Sequence, residues 1–165
     1  MALLPSWTPN LHPLVVHFPI AVLTAAVVAD LIDIFMPCPT KTGTISTWLY
    51  TIGASLAVLA YFSGDAAARS VSFSLDAIPV LQAHSDWAFR ATWSFLFFSS
   101  IRLAMSYIHR PTDAQRLGTL FIAMVSLGAL SFTVLYGSRL VFEHGVGLPG
   151  PNWEEKGILD EIDDR

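Results

Sequence analysis

The sequence predicts an all-α fold: a four-helix transmembrane bundle with both termini on the periplasmic side. Three observations point there. Hydrophobic residues make up 53% of the 165 positions and charged residues 13%, with mean hydropathy +0.55; a typical soluble domain carries about 25% charged residues. Apolar stretches of about 20 residues, enough to cross a bilayer core, recur four times between Pro, Gly and charged punctuation. The first forty residues contain no Lys or Arg, so the cationic head of a secretory signal is missing and the first stretch is expected to be a retained transmembrane helix. The net charge of −4 argues against a nucleic-acid partner. Cys38 is the only cysteine, which excludes an internal disulfide and a C-x-x-C-H haem attachment.

Residues 1–148 read as one membrane domain and 149–165 as an acidic soluble tail. In the uncharged N-terminal arm, Trp7 suits the membrane interface. The first span is expected over about residues 14–35. Pro13 fits its N-terminus, and Pro19 is expected to bend its start. His17, Ala21, Ala25 and Ala29 share one face, and small residues at that spacing admit another helix or a flat ring. Asp30 and Asp33 fall near the far end, where they are expected to be solvated or paired with Lys41 or Arg102. Pro37, Cys38, Pro39 and Gly43 mark a loop.

The second span is expected over about residues 45–64, closing at Gly64-Asp65, with Gly53 and Ala57 as a packing seam. Residues 65–83 read as an interfacial segment, in the form of a short amphipathic helix lying on the membrane. The third span, about 84–107, holds Arg90 and Arg102, which can snorkel to opposite interfaces. Thr112 or Asp113 can cap the fourth span, expected over about 117–138 with Gly137 at its exit. No internal repeat is visible in the sequence.

Four spans put both termini on one side. Lys41, Arg102, Arg110 and Arg116 lie at the other end and Arg69, Arg139 and Arg90 at the termini end, a bias that places the short loops in the cytoplasm. The localisation expected is the bacterial inner membrane. His12, His17, His84 and His144 then all belong to the outer end; His109 alone lies on the cytoplasmic side, as an ordinary surface residue.

Four imidazoles at one rim need a reason, because ionisable groups in a membrane tend to be functional. Axial histidines hold haem iron in electron-transfer sites, and facing helices of a bundle are a common place for them. On a continuous helix His12 and His17 would point roughly 140° apart, which suits two roles better than one compact cage. The reading is one or two b-type haems held without covalent attachment. His17 and His84 are the expected pair, His12 and His144 a second pair or supporting donors, and Arg69, Arg90 and Arg139 the cations for propionates. The alternative is zinc, copper or non-haem iron held by three or four of these histidines, completed by Asp65 or Glu143. A plainer reading also stands, in which each histidine caps a helix or bonds a carbonyl.

The opening His12-Pro13-Leu14-Val15-Val16-His17-Phe18-Pro19-Ile20 resembles that of an uncharacterised prokaryotic four-helix membrane family whose members begin H-P-x-x-V-H-F-P-I. The likeness continues through Ala29-Asp30-Leu31, Gly64-Asp65, His84 and Leu140-Val141-Phe142-Glu143-His144-Gly145-Val146-Gly147, up to about residue 148. It implies a redox-associated membrane module, since related domains occur alongside c-type cytochrome domains. The expected function is a b-type cytochrome subunit of a larger respiratory or photosynthetic complex, passing electrons between a membrane donor or the quinone pool and a periplasmic cytochrome or other redox partner. A cofactor-free anchor subunit is the rival from another class. No nucleophile arrangement or phosphate-binding loop is visible.

Overall fold

The computed structural model describes residues 10–36, 42–71, 74–108 and 112–148. The expectations for Trp7, Cys38, Lys41, His109, Arg110 and the tail 149–165 fall outside them. The described chain is helical and without strands: α1 His12–Val15, α2 His17–Phe35, α3 Thr42–Ala68, a 3-10 turn Leu75–Ala77, α4 Ile78–Ile108 and α5 Asp113–Phe142. Two antiparallel hairpins, α2–α3 and α4–α5, join mainly through α3 and α4. Three stretches are long and apolar enough to cross a membrane: His12–Phe35, Gly43–Ala68 and Asp113–Phe142. The fourth helix, α4, has 31 residues, but Asp86, Arg90 and Arg102 lower its hydropathy.

The break between α1 and α2 lies at Val16. Pro19 explains it: the ring has no N–H for the Val15 carbonyl and crowds that oxygen. Val16 itself keeps helical dihedrals, φ −62° and ψ −27°, and its N–H bonds the His12 carbonyl at 3.1 Å, so the effect of Pro19 is a missing hydrogen bond.

Each other helix outruns its expected bounds for a local reason. Gly64 does not end α3 and Gly137 does not end α5; both lie inside their helices, under imidazole rings. The expected amphipathic segment between the second and third spans is not a separate helix. α3 runs on to Ala68, and α4 begins six residues before His84, because Pro79 in a first turn costs no hydrogen bond. Thr112 caps α5: its hydroxyl accepts from the Gln115 N–H at 3.3 Å while its own N–H donates to Gln115 Oε1 at 2.9 Å, a reciprocal capping box. Beyond α5, the Val146 N–H reaches the Leu140 carbonyl and the Gly145 N–H that of Val141. Gly145, at φ 63°, supplies the left-handed residue this ending needs.

The core is a slab of Leu23, Ala26 and Val27 from α2, Tyr50, Ala54 and Ala57 from α3, Phe95 and Phe98 from α4, and Ala123 from α5. Tyr50 meets Phe98 edge-on at 4.9 Å. The expected Gly53 and Ala57 seam is real: a Cβ on Gly53 would sit 2.7 Å from Leu23. The expected alanine face of α2 is not the packed one, since Ala21 and Ala25 are exposed. Large apolar side chains such as Phe18, Ile32, Phe97 and Phe121 also face outward. In water that surface would drive association; in lipid it is the contact face. The hydroxyls agree with lipid: Thr51, Ser55, Ser99, Ser126 and Ser131 each donate to a carbonyl three or four residues back, so none asks the hydrocarbon for a bond.

Candidate functional site

All four outer histidines lie at one end of the bundle, but only two are brought together. His12, on α1, bonds through Nδ1 to Ser63 Oγ of α3 at 2.9 Å. The Ser63 hydroxyl already donates its one proton to the Ala60 carbonyl at 2.8 Å. With its proton there, the hydroxyl accepts from His12 Nδ1–H and Nε2 is left as the acceptor; a rotated hydroxyl reverses both roles. His84, in the second turn of α4, bonds through Nδ1 to the Thr133 carbonyl of α5 at 2.9 Å. A carbonyl can only accept, so His84 carries the same tautomer. Neither Nε2 has a hydrogen-bond partner among the described residues.

Glycine makes room for each ring. A Cβ on Gly64 would come within 2.9 Å of His12, and one on Gly137 within 3.0 Å of His84. The two imidazoles lie within electrostatic reach of one another. Aromatic pairs flank this level: Trp87 stacks on Phe132 at 4.6 Å, and Tyr61 meets Phe89 at 6.3 Å.

Of the two histidines of the opening motif, His12 rather than His17 is the one within electrostatic reach of His84. His12 packs on α3 through Ser63, while His17, roughly 140° around the helix, is exposed with Ala21 and Ala25. His144 stands apart. Its Nδ1 lies 3.3 Å from Asp76 Oδ2, joining the turn after α5 to the turn before α4, and its buried Nε2 has no partner. It lies seven residues beyond Gly137, roughly 10 Å of helical rise further out. A cage of three or four ligands is not formed: among the described residues no group of three or more His, Cys, Asp or Glu side chains is placed to hold a metal. Of the expected cations, Arg69 pairs with Asp65 and Arg139 with Glu143 within their own helical surfaces, both exposed. Arg90 lies over the Trp87 ring at 4.8 Å.

The chain belongs to the DUF2231 family of predicted membrane proteins. The family model matches residues 8–150, which takes in the opening motif, both hairpins and the His144 turn, and agrees with the resemblance drawn from the sequence. It is accordingly a membrane protein. No curated protein and no solved structure matches it.

The far end holds a second polar cluster. Arg102 grips Asp30 with two bonds, at 2.6 and 2.7 Å. It also donates to Ser46 Oγ at 2.7 Å, Thr47 Oγ1 at 3.0 Å and Thr119 Oγ1 at 3.5 Å. All five guanidinium N–H groups are thereby used, and the group sits 5.2 Å from the Tyr50 ring centre. The side chains of Arg102 and Asp30 are only 15% and 6% exposed. Arg116 pairs with Asp33 nearby. The expected Asp30–Arg102 pairing is present; the partnership of Arg116 was missed, as were Ser63, Thr133, Ser46, Thr47 and Thr119.

A spacing in the sequence could have found part of this. His12 and His84 are 72 residues apart, as are Asp30 and Arg102, and Thr47 and Thr119. Leu23 and Phe95, and Ala26 and Phe98, share that offset and all lie in the core. Each hairpin thus repeats one scheme, a histidine at one end of its first helix and a charge at the other, where no repeat is visible from residue types alone.

Proposed function

We propose that this protein is a membrane-embedded b-type cytochrome subunit in which His12 and His84 hold one haem through their Nε2 atoms. The observation that supports it is the matched state of the two imidazoles. Each has Nδ1–H tied to a fixed oxygen and Nε2 free, which is how ligating histidines are oriented and made more basic. Gly64 and Gly137 seat the two rings closely against α3 and α5, which fixes where the imidazoles stand. A haem bound there would supply a one-electron carrier, and His12 and His84 would be the residues that hold it.

His17 and His144 have no facing imidazole among the described residues, so the reading is one haem rather than two. Arg90 is the cation best placed for a propionate, because Arg69 and Arg139 already have carboxylates. The histidine end faces the periplasm of the bacterial inner membrane, since the basic loops lie at the other end. The electron partners are a membrane donor or quinone and a periplasmic redox protein, within a respiratory or photosynthetic complex.

One observation favours a second reading. The bonds His12–Ser63 and His84–Thr133 each join two helices, as clasps in a cofactor-free anchor would. An absorption spectrum of the purified protein separates the two. The cytochrome requires a Soret band that disappears in His84→Ala and in the His12→Ala/His84→Ala double variant, and persists in His17→Ala. Absence of the band from protein made with haem supplied, or its persistence in the double variant, rules the cytochrome out. A stoichiometric metal ion without a Soret band would point instead to a non-haem centre.

A further inference from the structure

We infer that the outward face of α4 is the contact of a symmetric homodimer, in which Asp86 of each copy pairs with Arg90 of the other. The inference goes beyond the cytochrome reading and does not depend on haem.

α4 packs between α3 and α5, so it crosses the membrane with them. Yet it is not among the stretches apolar enough to span by composition. The reason lies on its outward stripe, where Gln82, Asp86, Phe89, Arg90, Trp93 and Phe97 are all exposed. Asp86 stands two residues and Arg90 six residues inward of His84, roughly 3 and 9 Å of rise. An unpaired charge facing lipid at such a depth is costly. The matching positions of the first hairpin, 72 residues earlier, include Leu14, His17, Phe18, Ala21 and Ala25, also exposed and none of them Asp, Glu, Lys or Arg. One hairpin therefore offers lipid an uncharged face, and the other an acid and a base.

Within the chain the two charges are left open. Asp86 has no ion-pair or hydrogen-bond partner among the described residues, and Arg90 has only the Trp87 ring at 4.8 Å. The spacing does not prevent a pair: Asp65 and Arg69 also stand four apart, on α3, and theirs closes at 2.8 Å.

The occupant follows from the arrangement of charge. A two-fold axis along the membrane normal keeps both copies the same way round and makes one patch meet itself. Equal heights then face each other across the two α4 helices. Asp86 and Arg90 differ by four residues, about 6 Å of rise, within reach of the long arginine stem. A face that carries both signs one turn apart is complementary to itself and forms two equivalent ion pairs at once, with Phe89 and Trp93 between the copies. A lipid phosphate would neutralise Arg90 and leave Asp86 bare; a second copy satisfies both. With five N–H donors, Arg90 can hold a propionate of its own chain as well.

Light scattering of the wild-type protein in mild detergent should give a particle of two 18.0 kDa chains. Asp86→Arg and Arg90→Asp each set like charges across the axis and should lower the dimer fraction several-fold. Co-expressed with different tags, these two variants restore both pairs and should co-purify near the wild-type level, a rescue that no pair closed within one chain can produce. Independently, in a Cys38→Ala background, Trp93→Cys should cross-link between copies in oxidised membranes, and Ala21→Cys, its counterpart on α2, should not. A single-chain mass without the Trp93→Cys cross-link overturns the inference. So does a cross-link confined to Ala21→Cys, or a mixed pair that associates no better than either variant alone.

Discussion

The two ends of the bundle carry polar groups under the same constraint and resolve it oppositely. At the Asp30–Arg102 end every guanidinium N–H and both carboxylate oxygens are bonded inside the protein. At the histidine end each ring is bonded on one nitrogen only. His84 and Arg102 are 18 positions apart along α4, about 27 Å of rise, so the two clusters stand near opposite faces of a membrane. In hydrocarbon an unused polar atom is expensive. A saturated cluster is therefore explained by folding alone, while a pair of imidazoles with spare acceptors calls for something to accept. Tyr50 is the exception at the saturated end: its hydroxyl is buried without a hydrogen-bond partner.

The largest test of this contrast is to break the saturated cluster. Arg102→Met leaves Asp30 buried and unpaired, which should cost about 3–5 kcal/mol and show as a lower melting temperature and lower yield of monodisperse protein. Adding Asp30→Leu should restore most of that loss, because a buried pair exchanged for apolar groups is close to neutral. If the double variant stays as unstable as the single one, the cluster does more than hold the hairpins together.

At the other end the glycine seats should separate site from scaffold. Gly137→Ala forces a Cβ against the His84 ring, and Gly64→Ala against the His12 ring. Each should destabilise by about 1–3 kcal/mol and lower the haem content, read as the Soret-to-protein absorbance ratio. Unchanged haem in both would argue that neither ring is a ligand.

A smaller effect tests the helix that carries both the Thr119 and Gly137 positions. Thr112→Ala removes the capping box of α5 and should cost about 1 kcal/mol in thermal unfolding, with the spectrum unchanged.

The smallest concerns the turn above the histidines. The Ser74 hydroxyl, with the Asp76 main-chain N–H and a lesser share from His144, holds the Asp76 carboxyl below its ordinary value of 3.8. Its folded-state value is depressed, so its stabilisation is complete above that ordinary value and is lost as pH falls through the lowered one. Melting curves of wild type and Asp76→Asn should differ by a near-constant small amount at neutral pH and converge in strong acid. A difference that instead changes with pH across the neutral range would show that the Asp76 carboxyl alone does not carry the dependence.

Much of this architecture was legible in the residue order. Four apolar stretches, the helix interruption before Pro19, the Thr112 cap and the Asp30–Arg102 pairing follow from composition, period and charge, which are local or nearly so. The boundaries misled where a residue served a distant partner. Gly64 and Gly137 look like helix ends in sequence, because glycine is a poor helix former; in the bundle they sit mid-helix under imidazoles. Ser63 and Thr133 have no motif to announce them, since a hydroxyl or a carbonyl becomes a histidine's acceptor only through the helix packed against it.

By itself the sequence determined that this chain is a helical membrane protein, that its histidines gather at one end, and that its inner charges lie at the other. Helix length and hydropathy are sums over neighbours, and neighbours are written in order. Which histidine of the opening motif turns inward was decided only by tertiary structure. His12 packs on Ser63 and Gly64 of α3 and His17 is left outside, because a helix presents both and only the neighbour packed against it chooses between them.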